Sequence, residues 1–321
     1  MTDESSRWTH MSIGSQKPDG HGRRIRMRTI LIPLVFILIH FIAVNVLSIV
    51  YLLIYLFFQN AAGSLDILQI LGSQEALTEL IQEHYPIITI LYSAFLIPIY
   101  SIYLKQAQRK DARSLLTERI RMLDILPGLA MSVGALGLTN LYFSLLTKLG
   151  ESSSFVAGQL EAYKELTGSF TPDQGLVFLI IGISFMAPVT EELLFRGIVQ
   201  GELRKAMPEP VAIVLQAVMF AAYHIQPVQA SYALIPGLLL GIAYAWSRSI
   251  WVPIIMHMGF NLLGSILPVL AGEDEYISQV AASAQVGFIA AGLLAGIFFY
   301  MNRRHESIIS IEAGDTQNDT H

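Results

Sequence analysis

Two carboxylates and a guanidinium, Glu191, Glu192 and Arg196, stand close together in the stretch EELLFRG, and two histidines follow at His224 and His257. These side chains can move protons, hold a metal ion or stabilise a developing negative charge. The run before them, LVFLIIGISFMAPV, is apolar enough to lie inside a membrane. Burying an ion in hydrocarbon is expensive, so ionisable residues within a span point to function by default.

Helical spacing divides the cluster. Residues four apart share a face, which pairs Glu192 with Arg196, Phe220 with His224, and His257 with Asn261. Glu191, one position earlier than Glu192, points about 100° away, so the two carboxylates can have different roles. Glu192 and Arg196 form an intrahelical ion pair that lowers the burial penalty, while Glu191 is left to face the histidines. Pro188 has no N–H to give to the carbonyl of Ser184 and is expected to kink the helix and help make a water pocket. The midpoint of Glu191 and His224 falls between residues 207 and 208, inside a short loop at 206–209. In a helical hairpin the two would then lie at one depth, about 21 Å from Lys205, with any opening toward the cytoplasm.

The rest of the chain must position these groups. It has 321 residues, 53% of them hydrophobic and only 14% charged, with mean hydropathy +0.54. That excludes an ordinary soluble protein and predicts an all-α, polytopic membrane bundle. The absence of cysteine excludes disulfides, thiolate nucleophiles and cysteine metal sites. The small-residue stretch AAG at 61–63 is not expected to be a signal-cleavage site, because the apolar run before it is far longer than a signal sequence needs.

Eight spans are expected, near 30–58, 86–104, 124–147, 175–197, 210–225, 230–246, 250–270 and 279–301. The fifth and sixth are short and are read as a tight hairpin or a partly re-entrant pair. Lys and Arg gather on alternate sides, with six in the amino-terminal tail and six between 105 and 121, so both termini are expected in the cytoplasm of a cell-membrane protein. Two amphipathic stretches, LDILQILGSQEALTELIQ and FVAGQLEAYKELTG, are expected as helices lying on the outer surface, the more so as packing lids. Residues 1–28 and 302–321 are read as disordered polar tails flanking one membrane domain, 29–301, whose chemical half is 175–270.

The stretches EELLFRG, FAAYH at 220–224 and HMGFN at 257–261 resemble the EExxxR, FxxxH and HxxxN motifs of the CPBP family, also called ABI. These are intramembrane proteases of the CAAX-prenyl-protease and bacteriocin-processing type. The resemblance covers 175–270, and the spans before it are expected to contribute topology only. It implies a glutamate-dependent endopeptidase in which Glu191 is the general base and His224 helps activate water. His257 and Asn261 would stabilise the oxyanion, with Glu192, Arg196 and Phe220 in support. A carboxylate in a low-dielectric pocket suits the first role, and donors fixed on one helix face suit the last. The metalloprotease name borne by the family makes Glu191, His224 and His257 a candidate three-ligand zinc site, although HExxH is absent; a water-only mechanism fits as well. The expected partners are a peptide or membrane-protein substrate and the lipid bilayer, with no nucleic acid. The sequence leaves oligomeric state open.

Plainer readings stand beside these. The charged cluster could be a helix end at the inner headgroups, and Asn261 could be interhelical glue. His40, alone in the first span, reads as a packed histidine. The glycine pairs in GIVQG, GLLLG and GLLAG read as close-packing faces, and Trp246 and Trp251 as interfacial anchors. A non-enzymatic immunity or scaffold protein could use the same polar cluster. A proton-coupled transporter could too, but it would favour an internal repeat, which is not evident.

Overall fold

The structure, a computed structural model, describes residues 25–63, 67–168, 175–266, 269–270 and 275–304. Most of the two expected tails lies outside the described residues.

The described chain is helical, and its β-structure is limited to an isolated bridge between Thr117 and Ser249. We number the helices α1 (Met27–Ala61), α2 (Ile67–Gly72), α3 (Gln74–Lys110), α4 (Met122–Gly150), α5 (Ser154–Gly168), α6 (Leu176–Arg204), α7 (Glu209–Tyr223), α8 (Pro227–Ser247), α9 (Trp251–Ile266) and α10 (Glu275–Met301). Among the described residues six are long and apolar enough to cross a membrane, namely α1, α3, α4, α6, α8 and the 283–301 part of α10; α7 and α9 are shorter apolar helices. The expected eight spans correspond to these elements, with shifted limits. The largest shifts are at α3, which begins at Gln74, and at α6, which runs to Arg204. The first amphipathic stretch is therefore not a separate surface helix: it is α2 followed by the first turns of α3. The second is a separate helix, α5.

Lipid offers apolar side chains no solvent to escape, so the helices must hold together by close packing and polar contacts. A close approach joins α4 to α10, where a Cβ added at Gly292 would lie 2.6 Å from the Cα of Gly134. Of the two glycines in GLLAG, Gly292 supports the close-packing reading; at Gly296 a Cβ would meet nothing. At one end of the bundle, Arg304 bonds Glu118 and Asp124, Arg248 bonds Glu118, and Arg121 bonds Asp124. These contacts tie the 111–121 segment, the α8–α9 turn and the end of α10 together, and we refer to this as the basic end.

Two features of the chain shape the interior. Helix α6 is not uniformly α-helical: residues 180–186 and 193–200 are π-helical and flank the short α-helical stretch Ala187–Glu192. Helix α7, with 15 residues, extends only about 22 Å from the basic end before the chain turns at His224–Gln226, where Ile225 takes a positive φ of 60°. The fifth and sixth expected spans thus form a hairpin of a short helix, α7, and a span-length one, α8. Helix α5 packs over it: the Tyr163 and Tyr232 hydroxyls are 3.1 Å apart, and Gln226 Nε2 donates to the carbonyl of Gln159.

Candidate active site

The expected α-helical pair forms. Arg196 Nη1 donates to Glu192 Oε1 at 2.7 Å, with both side chains fully buried. A buried guanidinium needs further partners. Nη2 donates to the carbonyl of Gly237 on α8, and the guanidinium stacks over the Phe220 ring at 4.7 Å. The spacing in FAAYH now has a physical reason: Phe220 faces Arg196 on one side and His224, ring to ring at 5.1 Å, on another.

Glu192 has a second partner that spacing did not reveal. His257 Nδ1 lies 2.8 Å from Glu192 Oε1. A carboxylate only accepts, so Nδ1 carries the proton, and the imidazole is fixed with its other nitrogen turned toward Glu191. The Nε2 to Glu191 Oε2 distance is 3.8 Å. One histidine thus stands between the neighbouring carboxylates, held firmly by one and facing the other.

Glu191, His224, His257 and Asn261 line a common cavity of about 360 Å³. Glu192 and Arg196 are not among its lining residues and lie behind it. Four residues expected to act together are therefore gathered from α6, the end of α7 and α9; of the expected supports, Glu192 and Arg196 back them, while Phe220 is part of the cavity wall. Asn261 also serves as interhelical glue: its Nδ2 donates to the carbonyl of Ile183 at 2.9 Å. Pro188 supplies the cause. Without its N–H, a carbonyl one turn back is left free, and in a π register that carbonyl belongs to Ile183, five residues earlier, in place of Ser184. Asn261 keeps its second amide hydrogen and its carbonyl oxygen for other partners.

The structure also corrects two expectations. The cavity does not extend toward the basic end: besides the four residues above it is lined by Tyr163 and Thr167 of α5 and by Ile225 and Gln229 around the α7–α8 turn, all at the opposite end. The reason is the shortness of α7, which ends at Tyr223 after about 22 Å and leaves space beneath α5. The early spans contribute more than topology, because Phe41 and Asn45 of α1 and Tyr85 and Tyr92 of α3 form part of the wall. Sequence reasoning missed the wall tyrosines 85, 92, 163, 223 and 232. Tyr85 and Tyr92, two turns apart in an otherwise apolar run, were the available signal. His40 is packed, as read, against the rings of Tyr223, Tyr92 and Tyr100.

A zinc ion would need three donors converging to about 2 Å from one point. Among the described residues no three His, Asp or Glu side chains are grouped in that way. His257 already has one nitrogen committed to Glu192. The donor set in this arrangement does not fit zinc, and no chemistry is derived through a metal.

The fold and cavity define a multi-pass helical membrane protein with a carboxylate and imidazole site at the depth of its spans. Residues 173–263 match the model of the family described as Type II CAAX prenyl endopeptidase Rce1-like. Over 120 residues, 37% of its length, the chain is 29% identical to a protein of Bacillus subtilis (strain 168) described as "Putative membrane peptidase YdiL", and it spans about half of that relative, 48%. No solved structure matches significantly. Both matches support the CPBP family of CAAX-protease-like membrane proteins as the one that the segment carrying the site resembles.

Proposed function

We propose that this protein is an intramembrane endopeptidase of the CAAX type that hydrolyses a peptide bond with water activated by Glu191. The observation that carries the reading is the gathering of Glu191, His224, His257 and Asn261 on one cavity, with the Glu192–Arg196 pair behind it. Glu191 takes a proton from water as the water oxygen attacks the peptide carbonyl, and His224 orients that water. The charge that develops on the carbonyl oxygen is met by the free amide hydrogen of Asn261 and by His257. When the C–N bond breaks, Glu191 returns its proton to the leaving amine.

We read the basic end as the cytoplasmic one by the positive-inside rule, with both termini on that side of the cell membrane and the cavity toward the other. A peptide or membrane-protein segment would reach Glu191 beneath α5 or between helices. The aromatic wall suits an extended chain with apolar or aromatic side chains.

The test compares membrane and secreted peptides from cells expressing the wild type and Glu191→Gln at equal levels. A precursor that accumulates only with the variant, together with loss of its product, supports the peptidase. Identical profiles, with Glu191→Gln rescuing a deletion phenotype, would leave a binding or immunity protein that uses the same cluster.

A further inference from the structure

A second cavity, of about 330 Å³, lies at the basic end, far from Glu191. Its walls come from the first turns of α1 (Arg28, Ile32), the last turns of α3 (Tyr103, Gln106, Lys110) and the end of α6 (Glu202, Lys205). Both acids around it have partners within the protein. Glu202 accepts from the Tyr103 hydroxyl and from Lys205. Asp111 accepts from the backbone N–H and the guanidinium of Arg113; partial burial opposes its ionisation, but these bonds hold its carboxyl below the usual range.

The cations are differently placed. Among the described residues Arg28 and Lys110 make no hydrogen bond or ion pair, and both are exposed at the rim. Helix α1 starts here with no acidic residue in its first turn, so no carboxylate offsets its positive end, although Thr29 Oγ1 accepts from the Arg26 N–H. An anion seated between Arg28 and Lys110 would meet two free cations and the amino end of a helix.

The location limits the source of that anion. Arg28 opens the most apolar of the long helices, with mean hydropathy 2.7, and Lys110 closes another, so both stand at the border of the hydrocarbon. Leu31, Leu34, Val35 and Leu38 of α1 are all about half exposed and run from the cavity along the outside of the bundle. Acyl chains can lie on that face while the headgroup occupies the cavity. A free phosphate ion would use only the polar part.

We propose that this cavity is a binding site for an anionic phosphate group, carried by the headgroup of a lipid in the leaflet at the basic end. Basic pockets between spanning helices are suited to such headgroups, and each Lys or Arg near the surface contributes about 1 kcal/mol, roughly five-fold in affinity. The site is independent of the peptidase reading, because no residue of the Glu191 cavity takes part.

The experiment measures binding of a fluorescent phosphatidylglycerol to the full chain, purified in a neutral detergent, with unlabelled phosphatidylglycerol, phosphatidylcholine or inorganic phosphate as competitor. The wild type should bind it, and only phosphatidylglycerol should displace it. Arg28→Gln with Lys110→Gln should weaken binding by roughly 30-fold, while Lys105→Gln with Arg109→Gln, which removes two exposed cations outside the cavity, should leave it unchanged. Displacement by inorganic phosphate as effective as by phosphatidylglycerol would overturn the lipid source in favour of the free ion. Equal weakening in both double variants, or none in either, would overturn the site. If the first variant lowers the melting temperature, Arg28→Lys with Lys110→Arg replaces it: retained binding supports the charge requirement, and loss of binding overturns it.

Discussion

Arginine–carboxylate pairs occur in two parts of this molecule. At the basic end, Glu118 is 42% exposed and shares Arg248 and Arg304, which join segments far apart in sequence. Behind the cavity, Glu192 and Arg196 are 0% exposed, lie four residues apart on one helix and hold His257 in place. The chemistry of the pair is the same, and the surroundings set its role. Near water a broken pair is rehydrated, so the Glu118 pairs can act as a fastening with little effect on the individual members, whereas Asp124 in the same network is itself buried. Behind the cavity a broken pair leaves a bare charge with no water to receive it.

The sharpest test of this contrast is at the cavity itself. Glu191→Gln should reduce peptide cleavage by roughly 10²- to 10⁴-fold, the usual contribution of a general base, and leave the melting temperature near that of the wild type. Asn261→Ala should reduce turnover by about 10²-fold or more as an oxyanion donor is lost, and it should also free the Ile183 carbonyl and lower the melting temperature slightly. Arg196→Met should act mainly on stability: breaking the sealed pair costs about 3–5 kcal/mol, read by thermal unfolding in detergent.

Smaller effects belong to the edges. Tyr163→Phe removes the hydroxyl contact with Tyr232 and should cost about 0.5–1.5 kcal/mol of stability. Glu118→Gln should cost no more than about 1 kcal/mol. Partial burial opposes ionisation of Glu118, but Arg304 and Arg248 outweigh it and hold its folded-state value below 4.5. A lowered carboxyl value stabilises the fold above the unfolded value and is lost as pH falls through the folded one. The difference in melting temperature between wild type and Glu118→Gln should thus be present at neutral pH and be lost as the pH falls through the lowered folded-state value of Glu118. A difference that persisted in acid would mean that the basic-end network does not depend on the Glu118 charge, and the contrast between the two regions would fail.

What could be read in the sequence follows the range of the interactions involved. The spans were legible because each is a local excess of apolar residues, and Glu192–Arg196 was legible because one helical turn connects them. The bond from Glu192 to His257 joins residues 65 positions apart, and no local pattern encodes it. The π-helical stretches were hidden for a related reason: a wider turn leaves no fixed mark in composition, and only Pro188 hinted at a disturbed ladder. The direction of the cavity was misread because it depends on where α7 ends. His224 closes that helix as its last cap, whereas the motif spacing fits a continuing helix equally well.

The π-helical stretches of α6 also describe how this helix could be altered. A π turn holds one more residue than an α turn, so each stretch is equivalent to an α-helix with a residue inserted. Removing one residue from 193–200 would return that part to α register and shift the residues within it by one position, among them Arg196 and Gln200, whose Nε2 donates to the carbonyl of Gly241. Arg196 and Gln200 would leave their partners on α8, although every residue named in the three motifs could still be present. In this helix, register is itself part of the site, and a deletion that spares all the catalytic candidates should be as damaging as replacing one.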